Sequence, residues 1–495
     1  MKKIGKTILH SCYILISCMF LTACDTTQSY QAVHNSENNL LSYPETNLIQ
    51  HRCFERNPVI VIHGLFGGKL KNNISQKSIW GDFSWRRMND RSYVAQLAMP
   101  MKRGVPLTEI KSNAITDGIL DVTTIAYRDK PWIYLDSYSL LTKRLEELGY
   151  FRADNIKEID AELLPPVFAF SYDWRRDISL NVIDLHKFIE AKESELQKIY
   201  EEKFGLKDYK IKFDIIAHSM GGLLTRYYLQ YGPQILSEEL GMPNLSEIGD
   251  NKIEKAIIVG TPNFGYVDTF AELCKGLVLY PGLKSIPPEI LGTFSSYYAM
   301  LPVVGTASVI YADNYEEVDL YDIEVWKKYK WGLANDSKSS GELLKLILPE
   351  ITDPAERKRV ALDHLEKNLK QAKLFHQALK QELPEDKNTL LYLFAGNSFK
   401  TKRALLIDRV SGNIVGELSD SGDGKVTMSS ALYDSRAFVE NRQLFMSSPI
   451  HWTAIYNCGA SHMGIFSSQA FWANLSTVLL TESTARQQEL KYKNK

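Results

Sequence analysis

Short runs of apolar residues alternate along much of this chain with longer segments in which apolar positions recur every three or four residues. Runs that predict buried strands lie at residues 58–62, 167–170, 213–216 and 256–259. Helical spacing occurs between them, most clearly over residues 134–149 and 181–204. This alternation predicts an α/β fold, with a mostly parallel sheet covered by helices on both faces.

The alternation breaks after residue 265 and resumes near residue 389. In the intervening segment, residues 266–388, Asp353 is placed as an N-cap before a long apolar stripe at helical spacing. An insertion of this size between two strands predicts a helical cap over the site, although a peripheral helical addition would carry the same stripe. Residues 57–265 and 389–495 then form the N-terminal and C-terminal parts of one core.

The start of the chain has a pattern of its own. Three lysines precede an apolar run at residues 8–20, which closes on Leu-Thr-Ala and Cys24. A basic start, a short apolar run and a small residue predict a cleaved export signal over residues 1–23, and LTAC resembles the bacterial lipobox, whose cysteine is lipidated. We therefore expect a lipid anchor at Cys24, a flexible tether over residues 24–56, and an exported protein at the periplasmic face or the cell surface. The alternative is an uncleaved N-terminal anchor.

The composition is that of an ordinary globular protein. Apolar residues make up 44% of the chain and charged residues 24%, and the formal net charge of -1 gives no reason to expect a nucleic-acid partner. With the signal and the lipidated cysteine set aside, Cys53, Cys274 and Cys458 remain. Their spacing is not that of a metal site, and their odd number allows at most one disulfide within the chain.

The segment FDIIAHSMGGLLTRYYL, residues 213–229, changes abruptly from a strand pattern to a helix pattern. At the change lies AHSMG, in which Ser219 has Ala217 two positions before it and Gly221 two positions after it. This matches the nucleophile elbow of α/β-hydrolases, G-x-S-x-G, whose small residues let the strand and helix backbones approach each other. Ser219 is therefore the candidate nucleophile, and a helix N-cap is the plainer alternative.

A glycine-containing turn, HGLFGG, follows the first predicted strand at residues 63–68. In α/β-hydrolases such a loop supplies one backbone N–H group of the oxyanion hole, and the residue after the nucleophile supplies the other. Leu65 and Met220 are the candidate donors, and His63 is expected to be structural. Taken alone, HGLFGG would also suit an ordinary turn between a strand and a helix.

The acid and the histidine of an α/β-hydrolase come late in the chain. Asp423, between two glycines in SDSGDGKV, suits the acid, and Asp420 is its rival. The same loop could bind calcium, but the ligand spacing of an EF-hand is missing. His462 follows a predicted strand, where a loop at the sheet edge can bring it to the nucleophile, whereas His451 precedes that strand.

Seven motifs, in the same order, resemble the lecithin:cholesterol acyltransferase family over about residues 57–470. They are HGLFGG, YLDSYSLLTKRLEELGY, SYDWRRD, IIAHSMGGLL, VGTPNFG, SGDGKVTMSS and SHMGIFSS. YLDS and YDWR are the most telling, because hydrolases in general do not share them. In YDWR, the resemblance suggests that Asp173 and Arg175 border the active-site cleft, and we expect them to form a structural ion pair.

The resemblance implies an α/β-hydrolase fold and a serine O-acyltransferase or lipase that needs no cofactor or metal. The expected substrate is a glycerolipid or phospholipid, whose acyl group passes to water or to a lipid alcohol. The family's catalytic triad and oxyanion hole fall on the five residues already singled out: Ser219, Asp423, His462, Leu65 and Met220. An inactive lipoprotein that binds lipid or a partner is the alternative from another class, and the intact candidate set argues against it.

Overall fold

The computed structural model of the chain describes residues 56–127, 130–153, 165–279, 283–384, 387–438 and 446–481. The predicted signal peptide and nearly all of the predicted tether, including Cys24 and Cys53, lie outside these ranges. Cys274 and Cys458, which lie within them, are both free thiols. Within the same ranges, no helix combines the length and the hydropathy needed to cross a bilayer.

The described residues contain sixteen β-strands and fourteen α-helices. The strands are β1 (Val59–Ile62), β2 (Gly68–Asn72), β3 (Ser78–Trp80), β4 (Phe83–Ser84), β5 (Ala114–Ile119), β6 (Val122–Tyr127), β7 (Lys130–Asp136), β8 (Phe151–Arg152), β9 (Pro166–Phe170), β10 (Phe213–His218), β11 (Ile253–Val259), β12 (Val309–Tyr311), β13 (Leu390–Ala395), β14 (Phe399–Ile407), β15 (Ile414–Gly422) and β16 (Ala454–Asn457). The helices are α1 (Trp85–Met88), α2 (Arg91–Ala95), α3 (Ser139–Glu147), α4 (Ile178–Phe204), α5 (Met220–Tyr231), α6 (Ile248–Lys252), α7 (Val267–Lys275), α8 (Pro288–Leu291), α9 (Ser295–Ala299), α10 (Ile323–Tyr329), α11 (Lys338–Ile347), α12 (Pro354–Lys380), α13 (Met428–Leu432) and α14 (Gln469–Ser476).

The central element is a seven-stranded sheet with the order β16-β13-β11-β10-β1-β9-β8. Every pair of neighbouring strands in it is parallel. Parallel neighbours need crossover connections, and helices such as α4 and α5 supply them. The predicted α/β-hydrolase fold is confirmed, and the carboxyl ends of β1, β10 and β13 meet at one edge of the sheet.

Both faces of the sheet are buried. Ile60 and Ile62 of β1 belong to one hydrophobic core, and Val59 and Val61 belong to a second one. Because successive side chains of a strand point to opposite faces, the two cores lie on opposite sides of the sheet. Burial on both faces explains why the central strands are continuous apolar runs in the sequence rather than alternating ones.

Three small sheets surround the central one, with the orders β3-β2-β5, β4-β6-β7 and β12-β14-β15. The first two are built from residues 68–136, where the hydrophobic pattern predicts little. Their strands are short, and in β5 the four central residues are exposed while only the two ends are buried. Such strands lack the strict alternation that identifies a half-buried strand in a sequence.

The helices α7 to α12 lie between β11 and β13, which are neighbours in the central sheet. The predicted N-cap of α12 is confirmed, because the Asp353 carboxylate accepts hydrogen bonds from the backbone N–H groups of Ala355 and Glu356. At the other end of α12, the Ala378 carbonyl accepts a hydrogen bond of 2.7 Å from the Tyr231 hydroxyl. Because Tyr231 belongs to α5, the end of this segment is fixed to the helix that follows Ser219.

The predicted ion pair of YDWR is confirmed and lies in the interior. Arg175 is fully buried, and its Nε and Nη2 atoms donate to the two carboxylate oxygens of Asp173 at 2.9 and 2.8 Å. Its Nη1 donates to the Leu97 carbonyl, and Ser112 donates its hydroxyl to Asp173. Burial acts to raise the pKa of Asp173, but the Arg175 charge and these hydrogen bonds outweigh it and hold that pKa below its usual value.

Asp173→Asn is expected to lower the free energy of unfolding at neutral pH by about 3–5 kcal/mol, because it leaves the Arg175 guanidinium buried without its counter-charge. A carboxyl group with a depressed folded-state pKa contributes its stability above its unfolded-state pKa and loses it as the pH falls. The difference between variant and wild type should therefore shrink below about pH 4, as measured by urea unfolding. The matched control is Asp184→Asn, whose partly exposed pair with Arg176 is worth about 1 kcal/mol or less. An equal loss in both variants would contradict this account.

Candidate active site

Ser219 lies at the turn between β10 and α5. Its backbone has φ 55° and ψ -124°, a left-handed conformation that residues with a side chain rarely adopt. The turn is held by a hydrogen bond of 2.8 Å from the Ser219 N–H group to the Val259 carbonyl of β11. A Cβ atom at Gly221 would lie 2.7 Å from the His63 carbonyl oxygen, so the tight approach of α5 to the end of β1 requires glycine there. The geometry is that of a nucleophile elbow.

Asp423 and His462 reach Ser219 from the loops that follow β15 and β16. The Nε2 atom of His462 is 3.0 Å from the Ser219 Oγ atom, and its Nδ1 atom is 2.7 Å from the Asp423 Oδ2 atom. The backbone also joins the two, because the His462 N–H group donates to the Asp423 carbonyl at 2.8 Å. Three side chains that are far apart in the sequence thus form one chain of hydrogen bonds.

The Asp423 carboxylate is held on its second oxygen as well. Its Oδ1 atom accepts from the backbone N–H groups of Lys425 and Val426 at 2.9 and 2.7 Å. Burial acts to raise the pKa of Asp423. The His462 charge and the hydrogen bonds to the carboxylate have the larger effect, and the pKa of Asp423 is therefore lower than usual. Asp423 is therefore ionised and oriented to hold the His462 ring.

The rival residues do not take part in this arrangement. Asp420 is exposed on β15, opposite Thr401 of β14, and His451 is exposed before β16. Neither lines the cavity that Ser219 opens into. In the part of the chain that the structure describes, no group of three or more histidine, cysteine, aspartate or glutamate side chains is arranged to hold a metal ion.

The HGLFGG loop lies directly beside the nucleophile. A Cβ atom at Gly64 would lie 2.8 Å from the Ser219 Cβ atom, so only glycine permits this approach. Within the described residues, the N–H groups of Leu65 and Met220 donate no hydrogen bond. Leu65 also lines the cavity, whereas Met220 is fully buried at the start of α5.

Three side chains outside the loop fix the backbone of HGLFGG. The Gly64 N–H group donates to the Tyr138 hydroxyl at 2.8 Å. The indole N–H groups of Trp80 and Trp174 donate to the carbonyls of Phe66 and Gly68, both at 2.9 Å. Trp174 belongs to the YDWR motif, so this motif holds the loop in place in addition to forming the buried ion pair.

A buried network joins the same loop to the histidine. The Tyr138 hydroxyl is 3.0 Å from the His218 Nδ1 atom, and the His218 Nε2 atom is 3.2 Å from the His462 carbonyl. Burial and the nearby His462 lower the pKa of His218 to about 3, so its ring is neutral. A neutral ring satisfies every group if Tyr138 donates to Nδ1 and Nε2–H donates to the carbonyl. The network then fixes Gly64 and His462 relative to each other.

Tyr138→Phe is expected to lower the free energy of unfolding by about 1–3 kcal/mol, because the Gly64 N–H group and the His218 ring lose their shared partner. The loop and the histidine would also lose their relative position, so kcat for the reaction at Ser219 should fall by about tenfold to a hundredfold. Urea unfolding and steady-state kinetics measure the two effects. The control is Tyr315→Phe at an exposed tyrosine, which should change neither quantity. A Tyr138→Phe protein with wild-type kcat would show that the network has no positioning role.

Ser219 and His462 open into a cavity of about 370 Å³. Most of its wall is apolar, with contributions from Phe66, Trp80, Phe83, Leu120, Leu283 and Met300. Val278 and Met463, which also line it, are 56% and 51% exposed. The site thus combines a chain of proton-transferring groups with an apolar cavity whose lining includes two exposed apolar side chains.

Several residues of the site escape sequence reasoning. Tyr138 lies within YLDSYSLL and His218 within AHSMG, so both are inside motifs that the sequence singles out, although without a role. Trp174 is likewise inside YDWR. Glu272, which lines the cavity from α7, belongs to no motif, and only the folded chain brings it to the cavity that Ser219 lines.

The family model described as lecithin:cholesterol acyltransferase matches residues 77–384, a range that includes Ser219 but neither Asp423 nor His462. No curated protein sequence matches the chain. The crystal structure of the Tle4–Tli4 complex aligns with 14% identity and a TM-score of 0.47, over 86% of this chain and 98% of that chain. The Bacillus licheniformis lipase BlEst2 in its propeptide form aligns with 10% identity and a TM-score of 0.29, over 89% of this chain and 53% of that chain.

Proposed function

The chain belongs to the lecithin:cholesterol acyltransferase family, and from this premise we propose that it transfers a fatty acyl group of a glycerolipid, through Ser219, to an alcohol or to water. Family membership makes it an esterase or acyltransferase of lipid acyl esters. One observation carries the assignment of residues: the hydrogen-bonded chain from Ser219 through His462 to Asp423, which opens into an apolar cavity.

The first half of the proposed reaction forms an acyl-enzyme. The Ser219 hydroxyl attacks the ester carbonyl carbon while the His462 Nε2 atom takes its proton, and ionised Asp423 stabilises the resulting imidazolium. The carbonyl oxygen becomes negative and accepts hydrogen bonds from the N–H groups of Leu65 and Met220. His462 then gives its proton to the departing alcohol oxygen, which leaves the acyl group on Ser219.

The second half reverses these steps with another hydroxyl compound. Its oxygen attacks the acyl carbon, its proton passes to His462, and Ser219 recovers its hydroxyl hydrogen as the new ester or the free acid departs. A lipid substrate is supported by the apolar wall of the cavity and by the exposed Val278 and Met463 in its lining, because exposed apolar side chains beside a cavity favour contact with a lipid surface.

The full chain should release labelled fatty acid, or form a labelled ester, from phospholipid vesicles that carry a radiolabelled acyl chain. Parallel incubations with and without diacylglycerol or sterol identify the acceptor, because only an acyltransferase makes a second labelled lipid. The control is the same protein inactivated beforehand with a fluorophosphonate. If the untreated protein neither cleaves phospholipid nor reacts with the fluorophosphonate, it is not a serine esterase and the inactive-lipoprotein alternative takes its place.

The location of the protein is part of the same proposal. Export through the signal at residues 1–23 and lipidation of Cys24 would hold the catalytic body next to a membrane, where its substrate lies. In a bacterial host, labelled palmitate should enter the wild-type chain and not Cys24→Ser. Equal labelling of both would point to another acylated residue, and labelling of neither would favour the uncleaved N-terminal anchor.

A further inference from the structure

A single carboxyl group lines the active-site cavity among the described residues, and the proposed reaction does not use it. It belongs to Glu272 on α7, in the segment between β11 and β13. Its side chain is 12% exposed. Desolvation of a carboxyl group in a mainly apolar cavity is unfavourable unless the group has partners, so each of its contacts is informative.

Glu272 is held on one oxygen and open on the other. The buried Tyr297 hydroxyl donates to its Oε2 atom at 2.9 Å. The closest cation to its Oε1 atom among the described residues is Lys425, whose Nζ atom is 3.8 Å away, too far for a hydrogen bond. Lys425 also reaches Asp268 at 3.4 Å, and Asp268 pairs with Lys402 at 2.9 Å. The Oε1 atom therefore accepts no hydrogen bond from the described chain and has free lone pairs.

The surrounding charges restrict what this oxygen can bind. A cationic head group would meet Lys425 within 4 Å of the same oxygen, and an anionic phosphate would meet the carboxylate itself. A neutral hydroxyl group remains, since it donates to a carboxylate oxygen without adding charge. Burial raises the pKa of Glu272, while the Lys425 charge and the Tyr297 hydrogen bond act in the opposite direction.

We propose that Glu272, oriented by Tyr297, binds a second hydroxyl group of the acyl acceptor, so that the enzyme prefers acceptors of the polyol class, such as glycerol derivatives with at least two free hydroxyl groups, to simple alcohols. The inference rests on the proposed function and identifies its acceptor. The hydroxyl that attacks the acyl carbon must give its proton to His462, so it cannot also donate to Glu272. A neighbouring hydroxyl on the same molecule can.

The proposed step balances without a further reactant. One acceptor oxygen forms a bond to the acyl carbon, the bond from that carbon to the Ser219 Oγ atom breaks, and the proton passes through His462 back to Ser219. Glu272 keeps its protonation state throughout and accepts a hydrogen bond from the second hydroxyl. Its role is therefore to select and orient the acceptor.

The test is a competition between two acceptors of equal hydrocarbon length. The full chain is given p-nitrophenyl butyrate as donor, with equal concentrations of 1-hexanol and 1,2-hexanediol, and the two butyrate esters are separated by gas chromatography. Both products come from the same acyl-enzyme, so their ratio does not depend on how fast that intermediate forms. The ratio of diol ester to hexanol ester should be about tenfold higher with the wild type than with imidazole alone in solution.

Glu272→Leu should remove this preference, and Tyr297→Phe should reduce it, because the carboxylate loses its orientation. The matched control is Glu324→Gln on α10, an exposed glutamate outside the cavity, which should keep the wild-type ratio. A fluorophosphonate identifies which variants keep a reactive Ser219. If Glu272→Leu does not react with the fluorophosphonate, the product ratios of the wild type and of Tyr297→Phe still test the proposal.

Five outcomes separate this inference from the proposed function. A wild-type ratio equal to that of imidazole, or an unchanged ratio in a reactive Glu272→Leu protein, overturns the role of Glu272 and leaves the esterase intact. Release of butyrate without either ester does the same. Failure of the wild type to release p-nitrophenol overturns the proposed function itself. A diol preference that depends on Glu272 supports both.

Discussion

Ser219→Ala is expected to lower kcat for ester hydrolysis by about a millionfold and to abolish labelling by a fluorophosphonate. In the proposed reaction the Ser219 Oγ atom forms the bond to the acyl carbon, after the His462 Nε2 atom, 3.0 Å away, takes its proton. Alanine has no oxygen that could take this place. Hydrolysis of p-nitrophenyl butyrate and in-gel labelling measure the two losses. The hydrogen-bond partner that loses the oxygen, the His462 ring, lines the open cavity, so the free energy of unfolding should not fall.

The control for this variant is Ser339→Ala, at an exposed serine outside the cavity, which should behave as the wild type. Labelling that persists in Ser219→Ala would place the reactive group elsewhere. Activity that persists without labelling would require a mechanism with no acyl-enzyme. The role proposed for the N–H groups of Leu65 and Met220 would then have to be revised.

Asp423→Asn is expected to lower kcat by about 10⁴-fold, because an amide can donate to the His462 Nδ1 atom and so favours the wrong tautomer of the ring. The Asp423 Oδ2 atom is 2.7 Å from that nitrogen, so the substitution changes the contact without changing its geometry. Steady-state kinetics on the same ester give the result. The decrease should appear in kcat rather than in KM, because the acid acts in the transition state.

Asp420→Asn is the matched control, three residues away in the same loop region and exposed on β15. We expect it to change kcat by less than about twofold, as for surface substitutions distant from a site. A larger loss in Asp420→Asn than in Asp423→Asn would transfer the role of the acid. Equal small losses would mean that His462 works without a carboxylate.

The central fold can be predicted from the sequence because its strands are buried on both faces. Val59 to Ile62 is a continuous apolar run, Phe213 to Ala217 is apolar except for Asp214, and each run ends close to a loop that carries a candidate residue. Loops at the carboxyl ends of parallel strands converge on one edge of the sheet. The order of the motifs along the chain, the predicted strands before them and the family resemblance therefore singled out Ser219 and His462, whose Oγ and Nε2 atoms lie 3.0 Å apart in the structure.

The residues missed by sequence reasoning are those whose partners lie elsewhere in the chain. His218 is an unremarkable histidine until Tyr138 is placed 3.0 Å from it, 80 positions earlier in the chain. Glu272 occupies an ordinary amphipathic helix, and it becomes unusual only because Phe66 and Met300 make its surroundings apolar. Local patterns carry no record of such distant neighbours, which is why positioning and selectivity are harder to predict than the fold.

The backbone conformation at Ser219 lowers the stability of the fold at the position where the proposed reaction needs a side chain. A side-chain-bearing residue at φ 55° and ψ -124° costs about 1–3 kcal/mol, and glycine would adopt the same conformation with little penalty. Selection for thermal robustness alone would therefore favour losing the hydroxyl that the chemistry needs. Evolution toward a more stable protein must therefore proceed through substitutions elsewhere, while the strained backbone at Ser219 is kept.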